Sequence, residues 1–165
     1  MNVLFTSPAL FGPDGVYGGG ERYARELARA VAETLGGATL FAAATHPVER
    51  RDGPLRVVAR PPWHWVRGQR FNPLPRGLLR EIRRADVVHC FQHHIVQTSL
   101  AMLAGRALRR PVVVTDLGGG GWDISAWINT GRWATAFLHL SEYARQMAGR
   151  GSCRDDAVLY GGAGS

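Results

Sequence analysis

The sequence predicts an α/β domain, a Rossmann-like parallel sheet with helices on both faces. Short apolar runs alternate with helical periodicities along the whole chain. The runs are largely apolar, as in strands buried on both faces, and two glycine clusters follow the first and fifth of them. The 165 residues suffice for one domain, 1–165, and a composition of 45% hydrophobic and 20% charged residues is that of an ordinary globular chain.

Asn2 to Thr6 (NVLFT) reads as the first strand, followed by a loop that carries Pro8 and Pro13 into GVYGGGERYARELARAV. From Glu21 to Leu35, residues Ala24, Leu27, Ala28, Val31 and Leu35 fall on one helical face. Arg22, Arg25, Glu26, Arg29 and Glu33 fall on the other, and Gly36-Gly37 ends the helix. Ala38 to Ala44 and Leu55 to Ala59 are the second and third strands. Arg60 to Arg76 contains four prolines and reads as an irregular loop. Gly77 to Arg84 is a short helix, Asp86 to Phe91 the fourth strand, and Val96 to Leu108 a helix that stops before Pro111. Pro111 to Thr115 is the fifth strand, leading into the second glycine run, Gly118 to Gly121. Ala136 to Leu140 is the sixth, with Ser141 as N-cap of a helix over Glu142 to Gly149, and Ala157 to Tyr160 is the last strand.

Twenty arginines, no lysine and thirteen acids give a formal net charge of +7, which favours acidic partners such as nucleotide phosphates or anionic lipid. Nucleic acid is not expected, because no recognition module is present. Cys90 and Cys153 lack CxxC partners, which suits a reducing, cytoplasmic setting. The amino terminus has no basic n-region and is broken by Pro8, and no apolar run is long enough to span a bilayer. A soluble or peripherally attached protein is expected. Trp63 and Trp65, set among arginines, read either as an interfacial membrane patch or as a solvated loop.

In an open parallel sheet, ligands bind beyond the carboxyl ends of the strands. Those ends carry Thr6-Ser7, Gln92-His93-His94, Asp116 and His139-Leu140-Ser141, and both glycine runs lie on the same rim. The first run is neither common phosphate loop. GxGxxG fails at Tyr23, and GxxxxGK needs a lysine where Glu21 stands. What remains is backbone amides at a helix N-terminus, open to an anion but crowded by the Glu21 carboxylate, or simply a turn. His89, His93 and His94 have no cysteine or carboxylate at ligand spacing, so no metal is expected. Asp116 is either a functional carboxylate or a cap for the loop amides.

The ordered set GGGERYARELARAV, ADVVHCFQHH, RRPVVVTDLGGGG, AFLHLSEYARQ and AVLYGGAGS resembles the N-terminal domain of family 4 glycosyltransferases, enzymes of the two-domain, retaining GT-B fold. The resemblance implies that Gly19 and Gly20 approach the diphosphate of a nucleotide-sugar donor. It also implies that His89, Gln92 and His93, with the loop containing Gly118 and Gly119, face the acceptor. Glu21 and Ser141 complete the cleft-lining set on the same rim. Retaining transfer calls for stabilising the leaving diphosphate and an oxocarbenium-like centre, with no cofactor or metal beyond the nucleotide-sugar substrate. The resemblance further implies a glycan or lipid-linked acceptor, as in cell-envelope polysaccharide synthesis at the inner face of a membrane.

Two departures qualify the resemblance. Many relatives carry a histidine two residues after the strand-five threonine; here that residue is Leu117, which leaves Asp116 as the catalytic candidate. Relatives also continue into a donor-binding domain with paired glutamates, whereas this sequence stops at Ser165 and has Gly161 where an asparagine is expected. The expectation is therefore an acceptor-side half without its donor half, truncated or completed by a partner chain. The alternative is a non-catalytic binding module or one subunit of a split transferase. A dinucleotide-binding oxidoreductase is disfavoured by the failed GxGxxG.

Overall fold

The computed structural model describes residues 1–117, 128–147 and 155–159. Its strands are β1 (Val3–Ser7), β2 (Ala38–Ala43), β3 (Val48–Asp52), β4 (Leu55–Arg60), β5 (His64–Trp65), β6 (Pro73–Leu74), β7 (Val87–Phe91), β8 (Val112–Asp116), β9 (Ala136–His139) and β10 (Asp155–Val158). The helices are α1 (Gly19–Leu35), α2 (Leu78–Arg84), α3 (Val96–Ala107) and α4 (Glu142–Met147). Eight strands form one sheet in the order β10-β9-β8-β7-β1-β2-β4-β3, parallel except for the β3–β4 pair. From β1 the chain first builds outward through β2 and β4, then returns to add β7 on β1's other side. The order therefore reverses between β1 and β7, and a crevice opens there beyond the carboxyl ends of the strands.

Strand periodicity divides the core into two layers. Val3 and Phe5 of β1, Leu40 and Ala42 of β2 and Val57 of β4 face α1, which buries Ala24, Ala28 and Ala32 completely. These are the small residues of its apolar stripe, and their size lets the helix axis lie close to the sheet. Leu4, Phe41 and Val58 face the other way, against Leu78 and Ile82 of α2 and Ala101 and Met102 of α3. Gly105 of α3 lies so close to β8 that a Cβ there would overlap the Val112 side chain, which explains a glycine inside a helix.

The predicted doubly covered parallel sheet is present, and all six of the first predicted strands appear in it. Three features differ from the sequence reading. β3 (VERRD) has no apolar alternation and gives no strand signal; it is a sheet edge, where charged residues protect against unwanted pairing. It is joined to β4 by a two-residue turn with Gly53 at φ 60°, the positive φ that tight hairpins demand. The proline-rich loop is not wholly irregular, since β5 and β6 pair as a small antiparallel hairpin. Finally, β10 spans Asp155–Val158, two residues earlier than predicted, because Asp155 and Asp156 mask an exposed edge strand. Tyr160, Cys153 and the predicted last turn at 148–149 lie outside the described residues.

Candidate functional site

The strand ends at the crevice are in register, with Thr6 beside Cys90, Phe91 beside Thr115, and Asp116 beside His139. On one side stands the amino terminus of α1. Helical backbone begins at Gly19, two residues before the predicted Glu21, with extended Gly18 as N-cap. The first intrahelical bond there runs from the Arg22 amide to the Gly18 carbonyl (3.1 Å). The amides of Gly19, Gly20 and Glu21 thus precede the helical ladder, where a helix presents unpaired donors and its positive end.

Each glycine of this run has its own surroundings. Glu21 folds its carboxylate over Gly18, into the space a Cβ would need. At Gly20 a Cβ would stand 3.0 Å from Leu117 Cδ1, tighter than ordinary contact, so Gly20 allows the end of β8 to approach the first helical turn. Gly19 has no described atom within 4 Å of its Cβ position. Leu117 packs against the α1 layer of the core.

The opposite side is the turn after β7. Gln92 and His94 adopt left-handed backbone, φ 74° and 48°, a conformation non-glycine residues seldom hold without support. The support is visible. The Gln92 amide donates to the Thr115 carbonyl (2.9 Å), the Thr98 hydroxyl donates to the Gln92 carbonyl (2.6 Å), and the His93 amide donates to Asp116 Oδ1 (3.3 Å). The Asp116 carboxylate therefore positions this turn from the next strand. The His93 and His94 rings lie 3.9 Å apart, and His93 meets the edge of Phe137 at 4.9 Å.

His89 lies beneath the turn, not in the open crevice. It is buried, its Nε2 is 2.7 Å from Thr115 Oγ1, and its ring stacks on Phe91 (4.8 Å) and near Phe5 (5.2 Å). Burial pushes its pKa down to about 4, so the imidazole is neutral at pH 7. Cys90 is equally enclosed, and burial pushes its thiol up to about 12, which makes it an inert core residue. At the next strand end, buried His139 has Nε2 3.4 Å from Asp156 Oδ1. Ser141 Oγ accepts the Ala144 amide (3.1 Å), the N-cap role expected of it. Gly118 and Gly119 lie outside the described residues.

Three supporting residues were not singled out by the sequence reading. Gln97, fully buried on α3, donates from Nε2 to the Ser7 carbonyl (2.9 Å) and ties that helix to the end of β1. Thr98 holds Gln92. Asn72, also buried, accepts the Val96 amide at its side-chain oxygen (2.9 Å) and so caps α3 from the β5–β6 hairpin. The legible signal was three successive polar residues, Gln97-Thr98-Ser99, opening an otherwise apolar helix. Among the described residues no group of three or more His, Cys, Asp or Glu side chains could hold a metal ion. A groove of about 480 Å³ lies at the other, amino-terminal end of the sheet, lined by Met1, Asn2, Thr39, Arg51, Arg56 and Asp86 among others. The reversal of strand order marks the carboxyl-end crevice, not this groove, as the place for a ligand.

Comparison with known proteins bears on the fold and the family. Over its full length the chain superposes on MurG of Acinetobacter baumannii with a TM-score of 0.58 at 14% identity, covering 99% of this chain and 46% of MurG. It superposes on HepE of Anabaena, solved with UDP and glucose, with a TM-score of 0.53 at 18% identity, covering 99% of this chain and 45% of HepE. The chain thus spans just under half the length of either structure, and the likeness establishes the predicted fold, one Rossmann-like half of a GT-B architecture. A search of curated proteins finds no match. The family model for Glycosyltransferase Family 4 matches residues 17–158, most of the chain, and the protein belongs to that family.

Proposed function

We propose that this chain forms the acceptor-side half of a retaining glycosyltransferase, which moves a sugar from a nucleotide-sugar donor to a glycan or lipid-linked acceptor. The observation that carries the reading is the pairing, across Leu117, of the α1 amino terminus with the Gln92–His94 turn held by Asp116. Gly19 and Gly20 would offer backbone amides to the donor diphosphate as negative charge develops on it. Gln92, His93 and Asp116 would form the acceptor wall, with Asp116 orienting an acceptor hydroxyl. His89 would brace that wall through Thr115, and Glu21 and Ser141 would border the cleft. No metal is required in this scheme. The remaining donor contacts would come from a second domain or a partner chain, and a lipid-linked acceptor would bring the cytoplasmic protein to the inner face of a membrane.

Calorimetry with UDP, GDP and ADP tests the division of labour. A helix terminus contributes about 0.3–1 kcal/mol toward an anion, so this chain should bind each nucleotide with Kd above about 1 mM. Micromolar binding would show a complete donor site and refute the half-site reading.

A further inference from the structure

The positive charge of this protein is not spread over its surface. Residues 60 to 110 contain ten arginines and two acids, so this stretch accounts for the whole net charge of +7 and the remainder of the chain is close to neutral. Both acids are already engaged. Buried Glu81 pairs with Arg56 at 2.7 Å, and Asp86 lies 3.9 Å from Arg110. Arg67, Arg70, Arg76, Arg80, Arg83 and Arg106 are exposed and form no ion pair with a described carboxylate.

The elements that carry these arginines also carry exposed apolar side chains. The β5–β6 hairpin, α2 and α3 pack beside one another, α2 and α3 covering the sheet face opposite α1. Trp63 is 72% exposed and Phe71 49% on the hairpin, Leu79 is exposed on α2, and Leu100 and Leu103 on α3. Trp65, the second tryptophan of the sequence motif, is half-buried and contributes less. Aromatic and leucine side chains among unpaired arginines suit the boundary of a bilayer, where rings enter the headgroup region and guanidinium groups meet lipid phosphates.

We infer that the hairpin–α2–α3 face docks on an anionic lipid surface. The cleft is mechanically tied to that face through Asn72. Its side-chain oxygen holds the first amide of α3, and its backbone carbonyl accepts the Val66 amide within the hairpin (2.9 Å). Docking through Trp63 and Phe71 sets the Gln92–His94 turn, four residues before α3 begins, at a fixed place relative to the membrane. This deepens the reading of a lipid-linked acceptor, but its test needs neither donor nor acceptor. Micromolar nucleotide binding, which would refute the half-site reading, leaves it intact.

The test is co-sedimentation of the full chain with vesicles of phosphatidylcholine alone and with 30% phosphatidylglycerol, at about 0.1 M salt where the Debye length is roughly 10 Å. Binding to the anionic vesicles should be about tenfold or more tighter than to neutral ones and should fall as salt rises. The pair Trp63→Ser with Phe71→Ser, and separately Arg67→Glu with Arg70→Glu, should each lower it several-fold. Both pairs are exposed, so unchanged unfolding midpoints will show that the fold is kept. Equal partition onto neutral and anionic vesicles, or binding indifferent to both pairs, would overturn the proposal. Tight binding to duplex DNA without vesicle binding would overturn it as well.

Discussion

Replacing Arg56 by alanine should destabilise the domain by about 3 kcal/mol, through an unpaired buried carboxylate and not through lost packing. Arg56 projects from β4 and gives Nη1 to Glu81 Oε2 (2.7 Å) and Nη2 to Glu49 Oε1 (2.8 Å). The hydrogen bond to Glu81 raises the Arg56 pKa above its ordinary value. Glu81 is 6% exposed, on the face of α2 that rests on the sheet, and its next nearest cation is Arg84 at 3.9 Å. Without Arg56 the Glu81 carboxylate is left without its closest cation in an environment that solvates it poorly. The exposed partner Glu49 loses far less, because water screens it. Denaturant unfolding should therefore show a large drop in midpoint for Arg56→Ala, a small one for Glu49→Ala, and recovery in Arg56→Ala with Glu81→Leu. A single-variant loss below about 1 kcal/mol would mean that Glu81 is better solvated than its burial implies.

Acid should weaken the domain well before its carboxylates titrate, and His89 should be the cause. Its pKa is about 4 in the folded chain against 6.5 for an ordinary histidine, with burial responsible. The unfolded chain binds a proton at this position from about pH 6.5 downward, while the folded chain resists until about pH 4. The stability is thus complete above pH 6.5 and declines as pH falls through that window, by about 1.4 kcal/mol per unit and about 3 kcal/mol in all. Asp52, held below the usual carboxylate range mainly by its hydrogen bond from Arg25, adds its own loss only at more acidic pH. His89→Gln keeps a polar group within reach of Thr115 but has nothing to protonate. Thermal unfolding of that variant should be nearly flat between pH 6.5 and 4.5, where the parent declines. Parallel profiles would assign the effect to other groups.

How much of this was legible before folding follows from where each signal resides. The parallel sheet was readable because buried strands such as VLFTS and VVHCF are mostly apolar, and the alternation of such runs with amphipathic segments leaves few arrangements. The charged edge strand β3 was not, since its residues face solvent and its pairing depends on β4, a non-local fact. The same contrast governs the cleft. Gly20 drew notice as part of a run, but its reason, the approach of Leu117, depends on two segments that only the fold brings together. His89 was visible as a residue type, whereas its enclosure under the rim by Phe5 and Phe91 is a property of the packed sheet. Asn72 and Gln97 lie far in sequence from what they hold, and no local pattern could have paired them with Val96 and Ser7.

The sharpest test of the acceptor-half account is an amide chemical-shift map of the full chain with oligosaccharide acceptors added in turn, beside a matched titration with UDP. The account predicts that productive glycans shift Gln92, His93, His94, Asp116 and Leu117, while UDP shifts chiefly Gly19, Gly20 and Glu21, and only at millimolar concentration. Shifts concentrated in the groove at the opposite end of the sheet, around Asn2, Thr39 and Arg51, or a rim that answers UDP as strongly as sugar, would contradict it.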